Sequence, residues 1–310
     1  MAEKLFINSG KSSRGWSYWS DFFSCPRLFA YKHAMGLNLG GSDGRTRGSM
    51  LHTGLAHLFA MWGAEQDGGV LVGTGGGTER VTSSDALLTP EEAIEEYIRV
   101  TSLGSQFKDR VVECVRAYAA LAERPARIIG VETELTGMLG WRAGRWGLHV
   151  CNGMSAALGL NLAEVEPTPL EYEGAPGHGE PIVITRRADL IRADEGGLVE
   201  IVDHKGHAHA SSKRVRDEYR MEGGWSAFRI MARQLFGAKY TGSVVLNLLQ
   251  TLRPYSIDEI KLPPAPDADA TFSEDLYRAA HKKAEYEVGL AHWKWPMRRT
   301  SCFGVYGLCD

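Results

Sequence analysis

Three charged residues near the middle of the chain have the types and spacing needed to hold a metal ion beside a cation. Asp189 lies in one apolar segment, and Asp203 and Lys205 follow the next apolar run, LVEIV. On a β-strand, positions 203 and 205 point to the same face. Two carboxylates that converge beside an ammonium suit Mg²⁺, which binds through one or two carboxylates, water and substrate phosphate.

Such an ion polarises a phosphate and lowers the pKa of a bound water. Lys205 could orient that water or stabilise the charge that develops on the pentacoordinate phosphorus. The Asp-X-Lys pattern alone is common, and an ordinary charged surface hairpin is the alternative interpretation. Because charges at the carboxyl end of an apolar strand are frequently functional, the position of Asp203 and Lys205 favours a site.

A hairpin must bring the two carboxylates together. Residues 182–193 and 198–205 have strand character, and Asp194-Glu195-Gly196-Gly197 between them is a turn signal. The alternating pattern of 127–137 predicts a strand before the hairpin. After it, the patterns predict a helix over 214–236, strands over 241–250 and near 256–262, and a last helix over 272–293.

The first part of the chain reads differently. Helical spacings cover 17–35, 49–62 and 89–124, the last with a break near Gly104, whereas the glycine-rich stretch 63–88 predicts a surface loop or insertion. We therefore predict an α/β fold with a central mixed β-sheet flanked by helices. Its predicted division is an N-terminal helical region over 1–126 and a core over 127–310, with an insertion at about 138–180 and a cysteine-containing tail.

Composition limits the classes of protein without choosing one. The chain has 310 residues, of which 44% are hydrophobic and 24% are charged. A sizeable core is therefore expected. The net charge of −3 counts mildly against nucleic-acid binding, although a basic groove can be local. No apolar run of membrane-spanning length and no signal peptide is evident. We expect a reducing cytoplasm, in which the five cysteines are free thiols or metal ligands.

The segment TRRADLIRADEGGLVEIVDHKG resembles the core motif of PD-(D/E)XK nucleases, in particular the RecB-like branch with AddB, CRISPR-associated RecB-like exonucleases and many phage exonucleases. Three further stretches agree in order and spacing. SYWSDFFSCPRLFAY resembles the family's N-terminal helix, RGSMLHTGLA resembles its Gly-X-X-X-His element, and GVETEL resembles the strand that bears an acidic residue.

The resemblance implies a set of ligands for Mg²⁺ or Mn²⁺. Asp189 and Asp203 would bind the ion, helped by the backbone carbonyl of His204, and His52 would be a further ligand. A histidine on a helix, considered alone, is more often a core residue with satisfied hydrogen bonds.

The resemblance also implies catalytic roles. Lys205 would be the catalytic lysine, and Glu132 would act on the water or on a second ion. Glu134 shares a strand face with Glu132, so the choice between the two glutamates stays open. The family usually carries a glutamine on the helix after Asp-X-Lys. Here the corresponding position is Gly224, and Gln234 comes about three helical turns later.

Cysteines near both ends of the chain match a second feature of the family. Some members bind a [4Fe–4S] cluster through one cysteine in the N-terminal helix and three near the C-terminus. Cys25, Cys302 and Cys309 resemble three of these ligands, but a cluster needs about four thiolates. A truncated tail, a different ligand, a different metal or a lost cluster would each explain the difference. Cys114 and Cys151 are interpreted as structural or incidental.

The expected partner is DNA, as single strands or duplex ends, in the cytoplasm of a bacterial or phage-infected cell. Five basic residues are candidates for phosphate contacts, with a solvated charged surface as the alternative: Arg186, Arg187, Lys213, Arg214 and Arg216. The predicted activity is a metal-dependent exonuclease. The alternatives are a catalytically weak DNA-binding accessory protein of the same fold and a small iron–sulfur electron carrier, which the large α/β core disfavours.

Overall fold

A mixed eight-stranded sheet runs through the described part of the molecule. The structure, a computed structural model, describes residues 4–7, 15–37, 43–74, 77–142, 145–150, 182–208, 224–291 and 294–296. The strands are β1 (Val70–Thr74), β2 (Gly77–Val81), β3 (Arg127–Arg142), β4 (Arg145–Val150), β5 (Val183–Ala193), β6 (Val199–His207), β7 (Tyr240–Gln250) and β8 (Ile257–Leu262).

The sheet mixes parallel and antiparallel neighbours. Its order is β2-β1-β3-β5-β6-β7-β8, and β4 pairs with β3 outside this path. The pairs β1–β3 and β6–β7 are parallel, and the other pairs are antiparallel. The predicted hairpin is present as β5 and β6, paired from Ala193↔Val199 to Leu190↔Val202.

Helices cover both faces of the sheet. They are α1 (Trp16–Ser24), α2 (Pro26–Phe29), a π-helical turn (Ala30–Ala34), α3 (Asp43–Ala64), α4 (Pro90–Thr101), α5 (Lys108–Leu121), α6 (Gly224–Phe236) and α7 (Pro266–Gly289). One apolar core joins α1, α2, α6 and α7 to the sheet, and the other joins α3, α4 and α5 to its opposite face. The predicted α/β class with a central mixed sheet is confirmed.

The strand that carries Asp-X-Lys is buried from both sides. Val199 and Ile201 belong to the first core, whereas Val202 belongs to the second. A strand covered on both faces has a nearly continuous apolar sequence, which accounts for the LVEIV run.

The predicted N-terminal helices are present with modified ends. The stretch 17–35 is divided at Cys25, whose φ of −157° is extended. The division follows from Pro26, because proline removes a backbone donor and disfavours a helical conformation in the residue before it. Thr89 begins α4 with a capping box to Glu92. The predicted break near Gly104 is confirmed, since Gly104 has a left-handed φ of 84°.

Two predicted irregular regions contain strands instead. The stretch 63–88, predicted as a loop, holds the β1–β2 hairpin, and the region after residue 137 continues as β3 and β4. The surrounding glycines made this stretch resemble a loop. The apolar run of β1 is too short to show the alternation of a strand. The rest of the predicted insertion, 151–181, lies outside the described residues.

Helix bounds near the C-terminal end also differ from the prediction. The last helix begins at Pro266 rather than near 272, because proline fits the first helical turn, where its missing N–H is not needed. The predicted helix over 214–236 is described only from Gly224 onward. The boundary between 126 and 127 stays a prediction, although the part before it contributes strands to the shared sheet. None of the described helices is long and apolar enough to cross a membrane.

His57 fastens the N-terminal segment to α3. Its Nε2 accepts a hydrogen bond from the Ile7 N–H at 3.0 Å, so the ring hydrogen lies on Nδ1, which is 3.0 Å from the Leu88 carbonyl oxygen and donates to it. The side chain is fully buried, and this burial lowers the pKa of His57 to about 4. A protonated ring would lose the bond from Ile7, so the fold requires the neutral form.

We expect His57 to make folding stability sensitive to acid. The unfolded chain takes up a proton near pH 6.5, whereas the folded chain resists it down to about pH 4. The stabilisation is therefore complete above the unfolded pKa and is lost as the pH falls through this window, by up to about 3 kcal/mol. Urea unfolding of the wild type and of His57→Gln at about pH 7 and pH 5 should show a steeper loss for the wild type. Parallel losses would contradict the assignment.

Candidate metal centre

The two strands of the hairpin separate at the predicted carboxylates. The β5–β6 ladder ends at Leu190↔Val202, and Asp189 and Asp203 come immediately after it. Beyond this point β5 continues beside β3 and β6 beside β7. The parting of the strands frees the His204 N–H from the ladder, and it donates a hydrogen bond of 2.6 Å to Asp189 Oδ2. A backbone hydrogen bond from β6 thereby orients the Asp189 carboxylate.

Helix α3 brings His52 to the same carboxylate. Leu51 and Leu55 bury one side of this helix in the second core. The half-buried His52 places Nδ1 3.3 Å from Asp189 Oδ2. The predicted convergence of Asp189 with a histidine from the Gly-X-X-X-His element is therefore present in the geometry.

Glu132 completes the cluster from β3. It lies between the pairs Val131↔Leu190 and Thr133↔Ala188, which sets it opposite Asp189. Its φ is 50°, a left-handed conformation that is uncommon for any residue except glycine. Ligand atoms of His52, Glu132 and Asp189 all lie within 4.8 Å of one another. Strained backbone of this kind is typical of functional sites.

The glycine-rich hairpin supports the unusual conformation of Glu132. A Cβ placed on Gly73 of β1 would lie 1.9 Å from the Glu132 carbonyl oxygen. Only a residue without a side chain allows β1 to approach β3 this closely. The predicted loop is thus a strand that packs against the candidate site.

Electrostatics of the cluster are dominated by burial and by its two facing carboxylates. Burial and the nearby Asp189 raise the pKa of Glu132 to about 8. Burial also opposes the charge of Asp189, but His52 and Lys205 outweigh it and hold the pKa of Asp189 below its usual range. Burial disfavours the imidazolium of His52 as well, yet Asp189 raises its pKa to about 9. Asp189 and His52 therefore form an ion pair.

The donor set fits a hard divalent cation. Two carboxylates and one imidazole can each offer a ligand atom toward one point, and the carboxylates are of the type that Mg²⁺ and Mn²⁺ prefer. Burial and, after it, the neighbouring Asp189 hold the pKa of Glu132 high, and a divalent ion bound beside it would favour its charged form.

Asp203 and Lys205 lie beside this cluster as a pair. Asp203 Oδ2 is 2.5 Å from Lys205 Nζ, and Asp203 is buried. Asp203 is close enough to raise the pKa of Glu132, but it is outside the group of three converging ligand atoms. Its predicted role as a ligand stays a prediction.

The backbone of His204 contacts the site, whereas its side chain packs in the core. Its ring stacks on Phe59, with centroids 5.2 Å apart and an angle of 8° between the planes. Both ring nitrogens are buried, without a hydrogen-bond partner among the residues that the structure describes. Burial lowers the pKa of His204 to about 3, so the ring is neutral. The predicted ligand is the carbonyl oxygen, and the ring packs in the core.

The structure distinguishes the two glutamates of β3. Glu132 belongs to the cluster, whereas Glu134 Oε2 lies 3.5 Å from Arg187. Sequence reasoning could not separate them, because both stand on one face of a regular strand. The left-handed residue at 132 breaks that regularity.

The missing glutamine has a steric explanation. At Gly224, an added Cβ would lie 2.6 Å from the indole ring of Trp16, so a side chain there would require Trp16 to move. Gln234 is used elsewhere. It accepts from the Val150 N–H and donates to the Leu148 carbonyl, which satisfies the backbone of β4.

The candidate phosphate-contacting residues have partners within the protein where they are described. The Arg186 guanidinium lies 4.3 Å from the ring centroid of Phe228 and 5.4 Å from that of Trp225. Arg187 faces Glu134. Lys213, Arg214 and Arg216 lie outside the described residues. Contacts of these five residues with DNA stay predictions.

The C-terminal segment returns to the helix that follows Cys25. Arg27 donates from its backbone N–H to the Pro296 carbonyl and from Nε to the Trp295 carbonyl. Cys25 is buried, and Trp295 stacks on Phe29. Cys302, Cys309 and Cys151 lie outside the described residues.

Comparison with known proteins identifies the fold family. The model of the PD-(D/E)XK nuclease superfamily matches residues 17–285. The chain belongs to this superfamily. A crystal structure described as "Putative exonuclease" from Eubacterium rectale is similar over 92% of this chain and 84% of that chain, with 10% identity and a TM-score of 0.46. Among curated proteins, no sequence matches the chain.

We expect Gly73 to be required for the placement of Glu132 in this superfamily member. Gly73→Ala should reduce Mn²⁺ affinity at least about tenfold, because the clash with the Glu132 carbonyl must displace the strand that carries a ligand. Gly289→Ala is the control, since a Cβ there meets nothing within 4 Å. Calorimetric titration of both folded variants with Mn²⁺ measures the effect. Equal affinities would show that β1 does not position the site.

Proposed function

We propose that the chain is a divalent-metal-dependent nuclease that hydrolyses phosphodiester bonds of DNA. The convergence of His52, Glu132 and Asp189 beside the Asp203–Lys205 pair carries the proposal. The superfamily membership supports it, and the same residues fall on the sequence motifs that resemble the RecB-like branch.

Each residue has a role that follows from its contacts. His52, Glu132 and Asp189 would hold Mg²⁺ or Mn²⁺, with Asp203 and the His204 carbonyl as further candidate ligands. When bound, the ion would polarise the phosphate and acidify a water molecule. The His204 N–H keeps the Asp189 carboxylate aimed at the site. Without the ion His52 pairs with the same carboxylate, and it would release its ring proton when it binds the ion.

Lys205 is proposed as the catalytic lysine. The Lys205 ammonium lies 2.5 Å from Asp203 Oδ2. This ion pair restricts the ammonium to one position, whereas an unpaired lysine side chain would move freely in solvent. In hydrolysis, the oxygen of water adds to phosphorus while the bond from phosphorus to the leaving sugar oxygen breaks. The ammonium can orient the attacking water and stabilise the negative charge that the phosphoryl oxygens gain.

Exonuclease action on DNA ends or single strands, in a bacterial or phage-infected cytoplasm, is the finer part of the proposal and rests on the RecB-like resemblance. The second candidate is a catalytically weak DNA-binding accessory protein. The packing of Gly224 against Trp16 favours it, because this position has no room for the glutamine that positions DNA in the family.

Incubation with end-labelled single- and double-stranded DNA tests the function. We expect cleavage with Mg²⁺ or Mn²⁺ and none with EDTA. In parallel, Mn²⁺ should raise the melting temperature of the wild type, because a ligand that binds only the folded state stabilises it. Asp189→Asn should lose most of this increase. Cleavage that persists in EDTA would contradict the metal mechanism.

Matched lysine variants assign the cleavage to this site. Lys205→Ala should lower turnover about a hundredfold or more with little change in DNA affinity, because its charge acts mainly in the transition state. Lys261→Ala is the control, since Lys261 also pairs with a carboxylate of β6, Glu200, at 2.7 Å. A binding-only accessory protein would show DNA affinity without turnover in the wild type.

We also propose that Cys25, Cys302 and Cys309 contribute to a [4Fe–4S] cluster. The return of residues 294–296 to α2 supports it, because the chain's last described residues lie beside the helix that follows Cys25. Anaerobically purified protein should be brown, and Cys25→Ser should lose the colour. Cys114→Ser should keep it, since burial raises the pKa of the Cys114 thiol to about 11 and so keeps it protonated. A colourless wild type would reject the cluster.

A further inference from the structure

A small cavity lies next to the candidate metal centre. It has a volume of about 60 Å³ and is lined by residues of α3 and α5, by the end of β6 and by the residues that follow β6 and β7. Leu51 and Gly206 line it, and they are the chain neighbours of His52 and Lys205. The cavity therefore borders the same segments of α3 and β6 that carry His52 and Lys205.

The charge of the cavity is positive. Arg47 of α3 and Arg110 of α5 line it, and none of its described lining residues is acidic. Across the part of the chain that the structure describes, neither guanidinium forms an ion pair with a carboxylate. Asp43 and Asp109 lie on the same helices without lining the cavity. The Arg47 guanidinium rests 5.4 Å from the Phe107 ring centroid, and this cation–π contact restricts its position.

Gly48 leaves an empty space beside α3 that no neighbouring side chain fills. It lies inside the 22-residue helix α3, where glycine costs roughly 1 kcal/mol relative to alanine. An added Cβ would meet no heavy atom within 4 Å, so no neighbour requires the glycine. Because Gly48 lines the cavity, the space it leaves is available to a ligand.

We propose that this cavity binds a phosphate group of the substrate strand next to the phosphate that is hydrolysed. The inference rests on the proposed function. The guanidinium group is a fork of donors that matches phosphate oxygens, and both Arg47 and Arg110 line this cavity. An adjacent internal phosphate and a terminal phosphate share this chemistry.

Binding by catalytically silent protein tests the cavity apart from cleavage. In the Lys205→Ala background, Arg47→Gln and Gly48→Leu should each weaken binding of a short single-stranded DNA about tenfold or more. Leucine at 48 keeps the helix and fills the space, so a melting temperature that is not lowered serves as the check on folding. Arg116→Gln is the control, because Arg116 is an exposed arginine on α5 that pairs with Glu91.

Modified DNA identifies the phosphate. Oligonucleotides with one neutral methylphosphonate at each position in turn, and a pair with and without a 5′-phosphate, are bound to the intact-cavity protein and to Arg47→Gln. A single DNA modification should weaken binding to the protein with the intact cavity. The same modification should have little further effect on binding to Arg47→Gln, because the modification and the substitution remove the same contact. A methylphosphonate effect would assign an internal phosphate, and an effect of the 5′-phosphate would assign a terminal one.

Several results would overturn the inference. Losses that add independently for every modification, or equal losses for Arg47→Gln and Arg116→Gln, would show that the cavity does not contact a phosphate. Failure of the intact-cavity protein to bind DNA would overturn it as well. Lack of metal-dependent cleavage by the wild type, with the non-additive pattern retained, would instead reject only the catalytic part of the proposed function.

Discussion

The hydrogen bond from the His204 N–H to the Asp189 carboxylate is the contact on which the candidate site depends. It exists because β5 and β6 stop pairing after Leu190↔Val202, which leaves a backbone donor of β6 without its ladder partner. A buried N–H must find an acceptor, and an aspartate on the departing strand supplies it. The same bond fixes the carboxylate where His52 from α3 and Glu132 from β3 can reach it.

The site around Asp189 includes features that are unfavourable in themselves. Glu132 adopts a left-handed conformation and keeps a raised pKa, both of which are unfavourable for the fold alone. Gly73 has no side chain, which allows β1 to lie in close contact with the backbone of Glu132. Natural folds tolerate such local conflicts mainly at functional sites, and here they surround the three converging ligand atoms of His52, Glu132 and Asp189. The two cores on either side of the sheet supply the stability that permits them.

The sequence was sufficient for the parts of this arrangement that local patterns encode. Asp189, Asp203 and Lys205 could be found because a hairpin and a period of two place them, and His52 because its segment resembles the Gly-X-X-X-His element of the family. Gly73 could not, since its role depends on a parallel pairing of β1 with β3, which is distant along the chain. The same holds for Arg186, whose ring contacts come from α6, and for Gly224, whose missing side chain is explained only by Trp16 of α1.

Net charge was a weak guide because many cations on the described helices already pair with carboxylates. On α5, Lys108 pairs with Glu95 and Arg116 with Glu91. On α7, Lys282 and Lys283 pair with glutamates within about one helical turn. Arg47 and Arg110 differ, since they meet at a cavity whose described lining is free of acidic residues. A polyanion responds to such a local field rather than to the total of −3, so an acidic chain can present a basic surface beside its candidate metal centre.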